Sequence, residues 1–114
     1  MADDIFCKIA VGSVPANKVY EDKQVLAFPD INPQAPVHIL IIPKKHYTSL
    51  NDIEEKDTGL LGHMMLVACR LAREYGVAFT GYRLAVNSGP QGGQVVPHLH
   101  MHLLGGRQLQ GELA

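Results

Sequence analysis

His98-Leu99-His100-Met101-His102-Leu103 alternates a histidine with an apolar residue at every step. Successive side chains of a β-strand point to opposite faces, so the three histidines share one side and Leu99, Met101 and Leu103 the other. The apolar side supplies the burial that holds the strand, which leaves the histidine side free to be polar. Residues 98–103 are therefore predicted to form a strand with one face for packing and one for chemistry.

The neighbouring segments decide what kind of sheet holds it. Residues 88–97, with Gly89, Gly92, Gly93 and two prolines, read as the loop entering the histidine strand, and residues 82–87 as the strand before it. From 54 to 75 the period becomes helical. Leu60, Met64, Val67, Leu71 and Tyr75 form one stripe, Leu61, Met65, Ala68 and Ala72 form a second row beside it, and Gly76 is the natural stop. Two rows exceed what packing on one sheet requires, so the second faces either a partner copy or loops of its own chain. Residues 37–42 are apolar apart from His38 and predict a central strand buried on both faces. Before them lie a proline-punctuated loop (29–36) and a hairpin of two short strands (18–21 and 24–28). A helix over 5–11 opens the chain, capped by Asp3 or Asp4 and ended by the run from Gly12 to Pro15. Helix, hairpin, strand, long helix, strand, strand is the order of an α+β fold with a mainly antiparallel sheet.

A chain of 114 residues has material for one core, so a single domain over 1–114 is expected. With 46% hydrophobic and 18% charged residues and a net charge of −1, it has no basic excess to hold a nucleic-acid backbone, and any nucleotide partner is expected to be small. The first residues lack a positively charged start and a sustained apolar run, and no stretch approaches a membrane span. Cys7 and Cys69 are far apart without CxxC spacing, which suits buried, reduced thiols in a cytoplasmic protein.

Three readings compete for the histidine face. Histidines can simply tolerate a half-exposed sheet surface, although three of them within five residues argue against that. Imidazole is also the commonest zinc ligand, but catalytic zinc sites usually add a carboxylate or another histidine, and no acidic residue is near this strand in sequence. The third reading is nucleophilic catalysis at phosphorus. A neutral imidazole attacks readily at physiological pH and leaves again, while flanking histidines and the N–H groups of the Gly92-Gly93-Gln94 loop hold the phosphate oxygens.

At this point the chain resembles the histidine triad (HIT) family, whose motif is here His98-Leu99-His100-Met101-His102-Leu103-Leu104. It is most similar to the Hint branch of purine nucleoside phosphoramidate hydrolases. That likeness is carried also by Asp30-Ile31-Asn32-Pro33-Gln34-Ala35-Pro36-Val37-His38-Ile39-Leu40-Ile41-Ile42-Pro43-Lys44-Lys45-His46, Gly81-Tyr82-Arg83, Val86-Asn87, Gly92-Gly93-Gln94 and Gly105-Gly106-Arg107. The resemblance implies a HIT-like α+β homodimer, with a five-stranded sheet, one long and one short helix, and sheets joined across the interface. It further implies a purine nucleotide substrate, hydrolysis through a nucleotidyl-histidine, and no cofactor or metal. His100 is then the nucleophile, His98 and His102 contact phosphate and manage protons, and His38 supports them. Asp30 accepts from both ribose hydroxyls; Ile5, Phe6, Ile9, Phe28, Ile31 and Leu40 form a slot for the base; Asn87, Gly93, Gln94 and Val95 lie on the phosphate side. Val95 stands where many animal members carry serine and Pro97 where an aromatic residue is common, which leaves the leaving group unassigned. The rival activities are dinucleoside polyphosphate hydrolysis, as in the Fhit branch, and non-catalytic nucleotide binding. His46 reads as a solvated turn beside the sheet, and His63 as a helix-surface residue.

Overall fold

The computed structural model describes residues 4–111. In chain order the elements are α1 (Ile5–Ala10), β1 (Tyr20–Glu21), β2 (Val25–Pro29), β3 (Val37–Pro43), α2 (Thr58–Glu74), β4 (Tyr82–Ala85) and β5 (Met101–Gly105), with 3-10 turns at Leu50–Asp52 and Glu55–Asp57 leading into α2. All neighbouring strands are antiparallel, in the order β1-β2-β3-β5-β4. This is the expected α+β arrangement, a five-stranded antiparallel sheet with one long helix.

Asp4 caps α1, its Oδ1 accepting the Cys7 N–H at 2.7 Å, and Gly12, at φ 82°, follows in the left-handed turn that stops it. The alternative cap, Asp3, lies outside the described residues. α2 begins later than its expected start at 54, because Glu54 and Asp57 close a capping box around a separate 3-10 turn.

The sheet has two packed faces. Val25, Ala27, Ile39, Ile41, Met101 and Leu103 point to α2 and meet Met64, Val67, Ala68, Leu71 and Ala72. Leu26, Phe28, Leu40 and Ile42 point the other way, to Phe6 and Ile9 of α1. β3 is thus buried on both sides, as its unbroken apolar run predicts. The second helical row divides: Ala68 and Ala72 join the core, whereas Met65 is exposed beside Leu66. Tyr75, from the first stripe, is also exposed.

The histidine strand starts three residues later than expected, at Met101. β3 pairs with β5 from Val37↔Gly105 to Ile41↔Met101, and the same register puts Pro43 opposite Leu99. Proline has no N–H to donate, so the ladder stops there. Leu99 instead donates its N–H to Tyr47 O at 2.6 Å, and His98 donates to Val96 O at 2.8 Å.

Candidate active site

Residues directly opposite in an antiparallel pair share a face, so His102, opposite Leu40, lies on the α1 side of the sheet. Ring contacts extend from it in both directions. His102 is 5.2 Å from His38 and 5.0 Å from His100 between centroids, and Phe6 meets His100 edge-on at 5.1 Å and His98 at 5.9 Å. His46 adds a fifth imidazole, 5.0 Å from His98. The triad therefore forms one row in space although only His102 belongs to a strand.

Hydrogen bonds fix which nitrogen carries each proton. His100 Nδ1 lies 2.7 Å from His98 O, and a carbonyl only accepts, so the proton is on Nδ1 and the neutral ring keeps its lone pair on Nε2. His38 Nδ1 accepts the Gln34 N–H at 3.0 Å, which puts the His38 proton on Nε2, 2.9 Å from His102 Nδ1. His102 must then be protonated on Nε2, as a donor. The pair Gln34 and His38 orients a donor at one end of the row, and the His98 carbonyl fixes the His100 ring with Nε2 unprotonated in the middle.

Burial favours the neutral form of His102 and His38. It pushes the His102 imidazole down to about 4, with His100 and His38 adding repulsion and Asp30 pulling the other way. Burial also lowers His38, against the attraction of Asp30. Neutral imidazoles are what nucleophilic attack and hydrogen-bond donation both require near neutral pH.

His98 sits differently from its neighbours. Its side chain is wholly buried, Nε2 donates to Pro43 O at 3.0 Å, and Nδ1 faces Asp4 and Cys7. Both ring nitrogens are thus turned to protein atoms, and what His98 offers His100 is its carbonyl. His46 is no isolated turn residue: Nδ1 lies 3.1 Å from Asp4 Oδ2 and 3.2 Å from Cys7 Sγ. Asp4 and Cys7, whose sequence signals are a helix cap and an ordinary thiol, complete this group, and Cys7 is half-buried. Distance along the chain hid the carboxylate: Asp4 is 94 residues from His98 in sequence. A second carboxylate, Asp30, has Oδ2 3.4 Å from His38 Nε2, while Oδ1 accepts the Asn32 N–H at 2.8 Å. His63 is indeed on the α2 surface, where it pairs with the Asp22 carboxylate, which also receives the Tyr20 hydroxyl.

Of the six apolar residues expected around a base, Phe6, Ile9, Phe28 and Leu40 form one cluster with Leu26 and Ile42. Ile5 and Ile31 stand outside it, Ile31 being 91% exposed. In the glycine loop, Gln94 is a brace: its Oε1 accepts the Gly89 N–H at 2.8 Å and its Nε2 donates to Thr48 O and Val96 O. Gly93 has φ 86°, and a Cβ there would meet Asn87 Nδ2 at 3.0 Å, so the two phosphate-side candidates are adjacent. Val95 is 89% exposed at the loop surface. Ser88 Oγ is the one buried side-chain polar atom without a partner among the described residues, and it lies in this loop. A separate hollow of about 420 Å³, lined by Lys23, Lys45, Tyr47, Lys56 and Leu60 among others, contains none of the histidines.

The sequence profile of the HIT domain matches residues 11–109. The chain belongs to the HIT domain family. This HIT protein is 50% identical to a HIT family hydrolase from Legionella pneumophila Philadelphia 1, with a TM-score of 0.95 over 98% of this chain and all of the other. An uncharacterized HIT-like protein of Buchnera aphidicola is 45% identical over 95% of both chains. A histidine triad nucleotide-binding protein from Candida albicans is 34% identical, with a TM-score of 0.79 over 89% of this chain and 73% of that one. No helix among the described residues of this HIT protein is long and apolar enough to cross a membrane.

Proposed function

We propose that this HIT protein is a hydrolase of the Hint branch, a single cytoplasmic domain that cleaves purine nucleoside 5'-phosphoramidates and acyl-adenylates to the nucleoside monophosphate. The observation that carries the reading is the hydrogen bond from His100 Nδ1 to His98 O, which leaves Nε2 as the only lone pair of that ring. In the first step Nε2 attacks phosphorus, an N–P bond forms, and the P–N bond to the amine breaks as the amine takes up a proton. In the second step water attacks the nucleotidyl-histidine and returns His100 to its starting form. His102 donates from Nε2 to a phosphate oxygen, and the loop through Asn87, Gly93 and Gln94 supplies the remaining donors. His98 acts through its carbonyl, its ring being held by Pro43, Asp4 and Cys7. No metal takes part in either step.

Asp30 serves the ribose hydroxyls with carboxylate oxygens that only accept, and Phe6, Ile9, Phe28 and Leu40, with Ile5 and Ile31 at the rim, receive the base. The relatives support the reading in two parts, one being described as a hydrolase and another as nucleotide-binding. The working unit is a homodimer. β4 is an open edge of the sheet, and Met65, Leu66 and Tyr82 leave apolar surface exposed on α2 and on that strand.

The His100→Ala variant is expected to bind AMP but release none from adenosine phosphoramidate; full turnover would remove His100 as nucleophile. Faster turnover of diadenosine triphosphate than of the phosphoramidate would favour the dinucleoside polyphosphate reading.

A further inference from the structure

We propose that Asp4, Cys7, His46 and His98 form a structural site for one divalent cation of the zinc class. The six separations among Asp4 Oδ2, Cys7 Sγ, His46 Nδ1 and His98 Nδ1 all fall between 3.1 and 3.4 Å. Four points with nearly equal edges are the corners of a tetrahedron. Its centre is about 2.0 Å from each corner, the length of zinc bonds to nitrogen and oxygen, and a slight outward shift of Cys7 supplies the longer bond to sulfur.

The proton positions point the same way. The Pro43 carbonyl holds the His98 proton on Nε2, so Nδ1 presents a lone pair to a carboxylate oxygen 3.3 Å away. Two acceptors at that distance repel unless positive charge lies between them. A carbonyl behind a ligating imidazole is also the usual way in which a protein fixes the tautomer and orientation of a metal ligand. On binding, the Cys7 thiol gives its proton to solvent, and the carboxylate and thiolate together balance the two charges of the ion.

Four protein ligands fill a tetrahedron and leave no open position, so the site is structural. It ties the first turn of α1 to His46, beyond β3, and to the first histidine of the triad. α1 carries Phe6 and Ile9 over the histidine face, so the cation also holds the wall of the site. That consequence for the nucleotide site rests on the proposed function; the cation site itself does not.

The test uses the full chain, stripped with a chelator and titrated with cobalt(II), then zinc(II). One cobalt per chain is expected, with the strong visible bands of tetrahedral coordination and a thiolate-to-cobalt charge-transfer band, both abolished by zinc. Cys7→Ser should remove the charge-transfer band and weaken binding by about 100-fold or more, beyond the effect of losing an outer-shell partner. Asp4→Asn keeps the helix cap and should weaken binding at least about tenfold. His63→Gln, on the α2 surface away from the cluster, should change nothing. A six-coordinate spectrum without the charge-transfer band overturns the proposal, as does an affinity unchanged in both ligand variants. If the unmodified protein fails this test yet releases AMP through His100, the cation site falls and the hydrolase reading stands.

Discussion

Replacing His102 by glutamine tests whether burial of the histidine row shapes stability as well as chemistry. In the unfolded chain this imidazole has its ordinary value of 6.5, and in the folded protein burial, followed by the repulsion of His100 and His38, lowers it to about 4. Between those values the unfolded chain binds a proton that the native protein refuses. Unfolding therefore becomes easier as the pH falls through 6.5, and the loss levels off below about 4. At about 1.4 kcal/mol per pH unit the gap amounts to about 3 kcal/mol, which the partial exposure of the ring reduces by solvent screening to about 1–2 kcal/mol. Urea unfolding of the wild type and the variant at about pH 7 and about pH 4.5 reads the effect, the wild type losing about 1–2 kcal/mol more than the variant over that interval. Acid-sensitive carboxylates such as Asp4 and Asp57, and the lowered His38, remain in both proteins and cancel. Equal pH dependence in the two proteins would refute the reasoning.

Four further outcomes follow from particular positions. A Cβ on Gly92 would lie 2.5 Å from the Ser88 carbonyl oxygen, so Gly92→Ala should displace the glycine loop and lower kcat/KM by about 10- to 100-fold in an AMP-release assay. Gly59→Ala, in the first turn of α2 with nothing within 4 Å, should leave activity alone and raise the urea midpoint slightly. Tyr47→Phe removes the hydroxyl that donates to Asp57 Oδ1 at 2.8 Å and should cost about 1–2 kcal/mol in urea unfolding. If the carboxylate serves the ribose and not the reacting phosphorus, as proposed, Asp30→Asn should raise KM about tenfold with kcat nearly unchanged; a fall in kcat alone would move Asp30 into the chemistry.

Periodicity made the architecture readable, because β3 and α2 each expose their burial pattern directly in the order of their residues. The histidine face was legible for the same reason. Strand ends were less so. Whether 98–100 pair depends on the residue across the ladder, and the missing N–H of Pro43 acts on a segment more than fifty positions away. The two rows of α2 could not be separated by spacing, since Ala68 and Ala72 are small enough to sit beneath the sheet while Met65 turns outward. The family likeness supplied Asp30 and the base-slot residues, but neither it nor spacing brought His46, Cys7 and Asp4 together. Each has an ordinary local explanation as a turn, a thiol or a helix cap, and only tertiary folding joins them.

Pro43 has a wider consequence. By ending the ladder where it does, it leaves its own carbonyl without an inter-strand partner, to receive the His98 ring, while the end of β4 pairing at Ala85↔His102 leaves the His98 carbonyl to receive His100. The His100 ring is thus aimed by a main-chain oxygen that a longer β4 would have claimed. Side-chain substitution cannot delete such an acceptor. The durable part of this site is a frayed sheet end, and an engineer who mended the fray by replacing Pro43 would set the Leu99 N–H against the His98 ring for one carbonyl.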